Sequence, residues 1–121
     1  LTGLTIKKIQ SDRVNVAQYF AKKWGKVMVL KGANTVIAPP EGGVIISPFA
    51  NPALATAGTG DILAGVIAGM LAQGLDCFSA ASVGVYIHGL AGELVRKKIG
   101  DAGMLASDLV PILPQVLNKL V

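Results

Sequence analysis

Gly58-Thr59-Gly60-Asp61, followed by Ile62-Leu63-Ala64-Gly65-Val66-Ile67, sets the reading of this chain. The residues before it lack helical character; those after it read as a long apolar helix. Two glycines let the backbone turn tightly and approach a ligand closely. The helix start then offers unpaired N–H groups and the positive end of a dipole, which together favour an anion. A carboxylate beside such a cradle repels the anion. Asp61 therefore fits better as a base facing a substrate proton. The competing reading is a first-turn acid favoured by the helix dipole.

Upstream, Ser47 to Thr59 is rich in Pro, Asn, Ala, Thr and Gly and reads as an irregular loop feeding the turn. Three short apolar runs precede it. Val27-Met28-Val29-Leu30 has the continuous pattern of a strand covered on both faces, as in a parallel sheet. Val36 lies in a second strand over 35–38, stopped by Pro39-Pro40, and 44–46 form a third. Their close spacing predicts a hairpin or meander. Residues 5–24 read as helix, with a break at Ser11-Asp12, an apolar stripe of Val14, Ala17, Phe20 and Ala21, and a stop at Gly25. Downstream, helices are expected over 60–73, 78–99 and 107–119, the last capped by Ser107 and kinked at Pro114.

The 121 residues suffice for one small domain, yet 52% are hydrophobic and 15% charged, with a mean hydropathy of +0.59. That fits oligomerisation or a portion of a larger domain, and the helical pattern already entered near Leu1 favours the portion. The apolar runs 62–75 and 77–92 fall short of the roughly 20 residues that span a bilayer, so they read as core helices. The net charge of +4 comes largely from Lys7, Lys8, Arg13, Lys22, Lys23 and Lys26, a solvated helix face. With few aromatics and none interleaved with basic residues, nucleic-acid binding is not indicated. Cys77, the only cysteine, forms no internal disulfide, reads as a packed thiol, and fits a reducing, cytoplasmic setting. One His and one Cys give no metal-ligand cluster. His88 reads as a hydrogen-bonded packing residue and Asn51 as a brace of the loop with no chemical role. Thr56 either contacts substrate or steadies the turn.

The motif Ala55-Thr56-Ala57-Gly58-Thr59-Gly60-Asp61 resembles the D-T-x-G-A-G-D signature of ribokinase-like kinases, with Ala55 and Thr59 departing from it. Those departures match the ADP- or ATP-dependent NAD(P)H-hydrate dehydratases, whose N-P-x-M-A-T-A-G-T-G-D-V-L-A-G run is similar to Asn51–Gly65, with Leu54 for Met. Leu30-Lys31-Gly32-Ala33-Asn34-Thr35, Tyr86–Glu93 and Gly103–Leu109 resemble three further segments of that family, in order. The resemblance implies an α/β fold, with residues 1–121 as the C-terminal part of a three-layer α/β/α ribokinase-like domain.

By that resemblance a nucleotide phosphorylates the ring hydroxyl of hydrated NADH or NADPH, and phosphate then leaves by elimination. Asp61 would bind the substrate and take the hydroxyl proton. The Ala57, Gly58, Thr59 and Gly60 amides would form an anion hole for the moving phosphoryl group. Lys31, Gly32, Ala33, Asn34, Thr35 and Gly60 would line the ADP or ATP, with the Thr35 hydroxyl on phosphate or ribose oxygens. Mg²⁺ would be held mainly by phosphates and water. The resemblance also implies a homo-oligomer, and fusion to or pairing with an NAD(P)H-hydrate epimerase domain. Two other functions stay open on the residues alone: a ribokinase-like kinase for a sugar or vitamin-precursor alcohol, and a non-catalytic nucleotide-binding or assembly fragment.

Overall fold

The computed structural model describes residues 1–121. Helix α1 (Ile6–Ser11) is capped by the Thr5 hydroxyl, which accepts from the Lys8 amide at 3.2 Å. Asp12 breaks the run, and α2 (Arg13–Trp24) follows. The Ser11-Asp12 break is where the sequence places it, but neither side chain caps α2: Ser11 donates to the Lys8 carbonyl and Asp12 accepts from Asn15. Gly25, left-handed at φ 60°, closes α2.

Strands β1 (Met28–Leu30), β2 (Val36–Ala38) and β3 (Ile45–Ile46) form an antiparallel meander, with Met28 opposite Ala38 and Val36 opposite Ile46. The meander is the one the close spacing predicts, and β1 is antiparallel to β2 along the side they share. β1 lies at the sheet's edge and is half-buried, whereas β2, between two strands, is buried throughout. The period-2 alternation of β2 divides its side chains. Val36 and Ala38 pack with Ala17 and Ala21 of α2. Ile37, 1% exposed, packs on the other face with Leu63, Ala81 and Val85. The chain is thus layered, with α2 on one face and two long helices on the other.

Those two are α3 (Thr59–Ala72) and α4 (Cys77–Ile99). The Asp76 carboxylate accepts from the Phe78 and Ser79 amides to start α4. Cys77 at that first position is exposed, not packed as the sequence reading has it, because the cap turns it to solvent. By length and composition α4 could cross a membrane, yet its Ile87, Ala91 and Val95 sit in the largest core cluster with Met70, Leu109 and Val116. Close approach of the two helices requires Gly84: a Cβ there would lie 2.6 Å from Ile67 Cγ1 and 3.3 Å from Ile67 Cα.

The expected helix over 107–119 is not continuous. Two 3-10 turns, Ala106–Asp108 and Val110–Ile112, precede α5 (Leu113–Leu120). Pro111 has no N–H to extend a helix, and Pro114 sits in the first turn of α5, where it starts the helix instead of kinking it. Asp108, not Ser107, makes the local bond, accepting from the Leu105 amide at 2.7 Å.

Candidate functional site

The site lies where the turn after β1, the loop after β3 and the start of α3 meet. The turn 31–35 is held from within and from outside. The buried Thr35 hydroxyl donates to the Gly32 carbonyl (3.1 Å) and accepts from the Gly32 amide (3.3 Å). Its one donor is therefore spent on shaping the turn, and one acceptor lone pair is left over. Asn34, left-handed at φ 53°, donates its amide to the Phe49 carbonyl and its side chain to the Ser47 carbonyl, both at 2.9 Å. It tethers the two loops and does not line the cavity between them.

Arg13 supplies what the sequence reading missed. It belongs to the basic stretch taken as a solvated helix face, but its Nη1 donates to the Ala33 carbonyl (3.0 Å) and its Nη2 to the Leu30 carbonyl (2.8 Å). One guanidinium thus clamps both ends of Lys31-Gly32 and brings a positive charge to the turn. The only local sequence signal was an Arg at the start of α2 among lysines.

The second wall is the loop 47–58. The Asn51 side-chain oxygen accepts from the Ala53 amide at 2.9 Å and starts a 3-10 turn over Pro52–Ala55, which bears out its reading as a brace. Gly58 takes φ 88° before α3, a conformation that disfavours any side chain. Of the four expected anion-hole amides, those of Ala57, Gly58 and Gly60 donate to no group in the protein, whereas Thr59 N–H is spent on the Thr56 carbonyl at 3.3 Å.

Thr59 is fully buried and joins the parts. Its hydroxyl lies 2.7 Å from the Leu54 carbonyl and 2.8 Å from that of Thr56, and accepts from Lys31 Nζ at 3.3 Å. Its carbonyl accepts from His88 Nε2 at 2.9 Å. Lys31 Nζ also stands 3.6 Å from where a Gly60 Cβ would be. An ammonium is thus aimed at the positive end of a helix, with no carboxylate within ion-pair distance. Two positive poles brought together without a counter-charge make an anion site.

A cavity of about 420 Å³ opens between these walls, lined by Lys31, Thr35, Phe49, Asn51, Leu54 and His88 among others. Asp61 lies in the first turn of α3, exposed, and its carboxylate makes no hydrogen bond or ion pair. It edges a second, apolar hollow of about 350 Å³ with Ile62, Val66, Met70 and Ile87. The carboxylate is therefore uncommitted, with the free amides at its helix start.

His88 is buried, as a packing histidine should be. Burial pushes its pKa below the ordinary 6.5, the Thr59 carbonyl opposes this, and the Lys31 charge adds to the lowering. The ring is neutral with Nε2 as the donor. A depressed folded-state pKa means the unfolded chain binds the proton first. Stability is then expected to be level above about pH 7 and to fall as pH drops below about 6.5. His88→Gln, which keeps a donor but does not titrate, is expected to flatten this dependence in melting curves taken between pH 7.5 and 5.5.

The NAD(P)H-hydrate dehydratase family (Carb_kinase) matches residues 1–115. The bifunctional NAD(P)H-hydrate repair enzyme Nnr of Moorella thermoacetica is 49% identical over 120 residues, covering 99% of this chain and 23% of that protein. The ADP-dependent (S)-NAD(P)H-hydrate dehydratase of Neisseria meningitidis is 36% identical, covering 99% and 41%. The crystal structure of the ADP/ATP-dependent NAD(P)H-hydrate dehydratase of Bacillus subtilis, co-crystallised with ATP/Mg²⁺, superposes with a TM-score of 0.94 at 39% identity, covering 99% and 43%. The chain spans less than half the length of each of these relatives. With sequence and backbone alike from end to end of this α/β portion of a ribokinase-like fold, the chain belongs to the NAD(P)H-hydrate dehydratase family.

Proposed function

We propose that this chain supplies the nucleotide side and the base of a site that restores NAD(P)H from its hydrate, at the expense of ADP or ATP. One observation carries the reading: at the start of α3 the amides of Ala57, Gly58 and Gly60 are free, Gly60 stands against Lys31, and the Asp61 carboxylate in the same first turn is uncommitted. The terminal phosphoryl group passes to the ring hydroxyl, whose proton goes to Asp61. The C–O bond then breaks, phosphate leaves with its electron pair, and loss of a ring proton restores the double bond. The three free amides and Lys31 meet the charge on the moving phosphoryl group, the main demand of phosphoryl transfer. Thr59 contributes through Lys31 and His88 instead of through its amide.

Mg²⁺ is part of the proposal. No cluster of three carboxylate, His or Cys side chains lies on this chain, so the donor set fits a cation that arrives on phosphate oxygens and water. It would supply charge neutralisation at the phosphates. Homo-oligomerisation, a partner epimerase domain and a cytoplasmic setting belong to the same reading. The exposed Ile45 and Ile46 on edge strand β3 support assembly, the bifunctional relatives support the epimerase, and the free Cys77 supports a reducing compartment.

The test is incubation of the full-length protein with NADH hydrate and ADP or ATP, following the absorbance of reduced nicotinamide and released phosphate. Absorbance should return in step with phosphate; nucleotide-dependent recovery that never appears discards the reading. Arg13→Ala is expected to raise the nucleotide KM about tenfold with little change in kcat, since each charged hydrogen bond to the turn contributes about 1.5 kcal/mol or more. Arg13→Lys should not rescue it, because one ammonium cannot span two carbonyls. Steady-state kinetics at varied nucleotide concentration checks both.

A further inference from the structure

Thr59 opens α3, and its carbonyl accepts from His88 Nε2 at 2.9 Å. That carbonyl belongs to the same peptide group as the Gly60 N–H. A peptide group is planar and trans, so its C=O and N–H point in opposite directions and cannot turn separately. Fixing the Thr59 oxygen therefore fixes the direction of the Gly60 N–H, one of the three cradle amides that donate to no group in the protein. Gly60 has no side chain of its own to restrain that plane. The bond also draws electron density towards the Thr59 oxygen, which makes the N–H at the other end a stronger donor.

The holder is itself held. His88 is 4% exposed on α4. Its neighbour Gly89 leaves no room for a Cβ against the Phe49 ring, and Gly92 leaves none against Leu54, so α4 lies tight along the loop before α3. The Thr59 side chain is tied separately, by Lys31. We infer that His88 is a positioning residue for phosphoryl transfer, aiming the Gly60 N–H at the moving group through the Thr59 carbonyl. This rests on the nucleotide reading above. A cradle meets its full charge only in the transition state, so the bond acts on kcat and leaves nucleotide binding nearly unchanged.

The experiment compares His88→Gln, His88→Asn and His88→Leu in the full-length protein by steady-state kinetics with ATP and NADH hydrate. Calorimetry with ATP gives the nucleotide Kd and counts the sites, so that unfolded chains do not enter kcat. Glutamine carries its amide nitrogen as far from the backbone as Nε2 and should keep kcat within a few-fold. The asparagine nitrogen stops short of that point, and leucine fills the space with no donor. Each should lower kcat about 10- to 30-fold, less than the roughly hundred- to thousandfold cost of removing a donor outright, with the nucleotide Kd within a few-fold of wild type. Two such variants are made so that one that misfolds leaves the other to be read. The Gly60 amide resonance in ¹⁵N-glycine-labelled protein is the second readout: it should hold its place in His88→Gln and move upfield in the other two, as a weaker donor does. Wild-type kcat in a folded His88→Asn or His88→Leu variant shows that His88 only packs, and overturns the proposal. A loss as deep in His88→Gln as in the others shows that the imidazole itself meets the reactants, and a loss confined to the nucleotide Kd assigns it to binding; each overturns it too. A wild type without nucleotide-dependent turnover overturns the nucleotide reading and this inference with it, an outcome distinct from turnover that ignores His88.

Discussion

Asp61→Asn is expected to lower kcat about a thousandfold, within the range for losing a positioned general base, while nucleotide affinity changes by no more than a few-fold. Asparagine keeps the shape but cannot accept the hydroxyl proton. The carboxylate makes no bond within the fold, so nothing else is disturbed by its loss. Removing a negative charge beside a phosphate site should, if anything, tighten the nucleotide. The rival reading, a first-turn acid favoured by the α3 dipole, predicts a different pattern: a stability loss of about 0.3–1 kcal/mol with turnover intact. Single-turnover kinetics, nucleotide calorimetry and a melting curve on the same variant separate the two. Retained turnover would remove Asp61 as the base; a large loss of nucleotide affinity would assign it another task.

Gly84→Val is the second large effect. The valine Cβ would stand 3.3–3.4 Å from the Ile67 backbone as well as 2.6 Å from its side chain. A rotamer change at Ile67 can clear the side chain but not the backbone, so α3 and α4 must move apart. Overpacking of this kind costs about 2 kcal/mol, more than the roughly 0.5 kcal/mol that valine gains over glycine in helix propensity. A fall in Tm of roughly 5–10 °C follows. Because α3 begins at Thr59, its displacement also shifts Gly60 and Asp61, and kcat should fall with stability. Ile67→Ala in the same chain should recover part of both. An unchanged Tm for Gly84→Val would show that the helix contact is not as tight as described.

The order of helices and strands, and the turn at Gly58, were legible because they depend on local pattern: apolar runs, glycine at φ > 0 and proline stops. The pairing of β1 with β2 was legible from their spacing, not from composition, because a continuous apolar run looks the same whether its neighbour is parallel or antiparallel. The final helix misled because two prolines three positions apart decide between a kink and a fresh start. At the site, the motif residues were legible but the way they divide their labour was not. Thr35 spends its hydroxyl on Gly32 of its own turn, Asn34 spends its amides on the loop after β3, and Arg13 reaches carbonyls 17 and 20 positions away. Such bonds appear only once α2, the meander and α3 are stacked.

Thr59 is bonded to α4 through its carbonyl, to Lys31 and to the loop carbonyls of Leu54 and Thr56 through its hydroxyl. A residue tied in so many directions, and shielded from water, leaves the segment no partial way to open. The bonded amides of Leu54, Thr56 and Thr59 should therefore exchange as one cooperative event with a common protection, while the unbonded amides of Ala57, Gly58 and Gly60 exchange ahead of them.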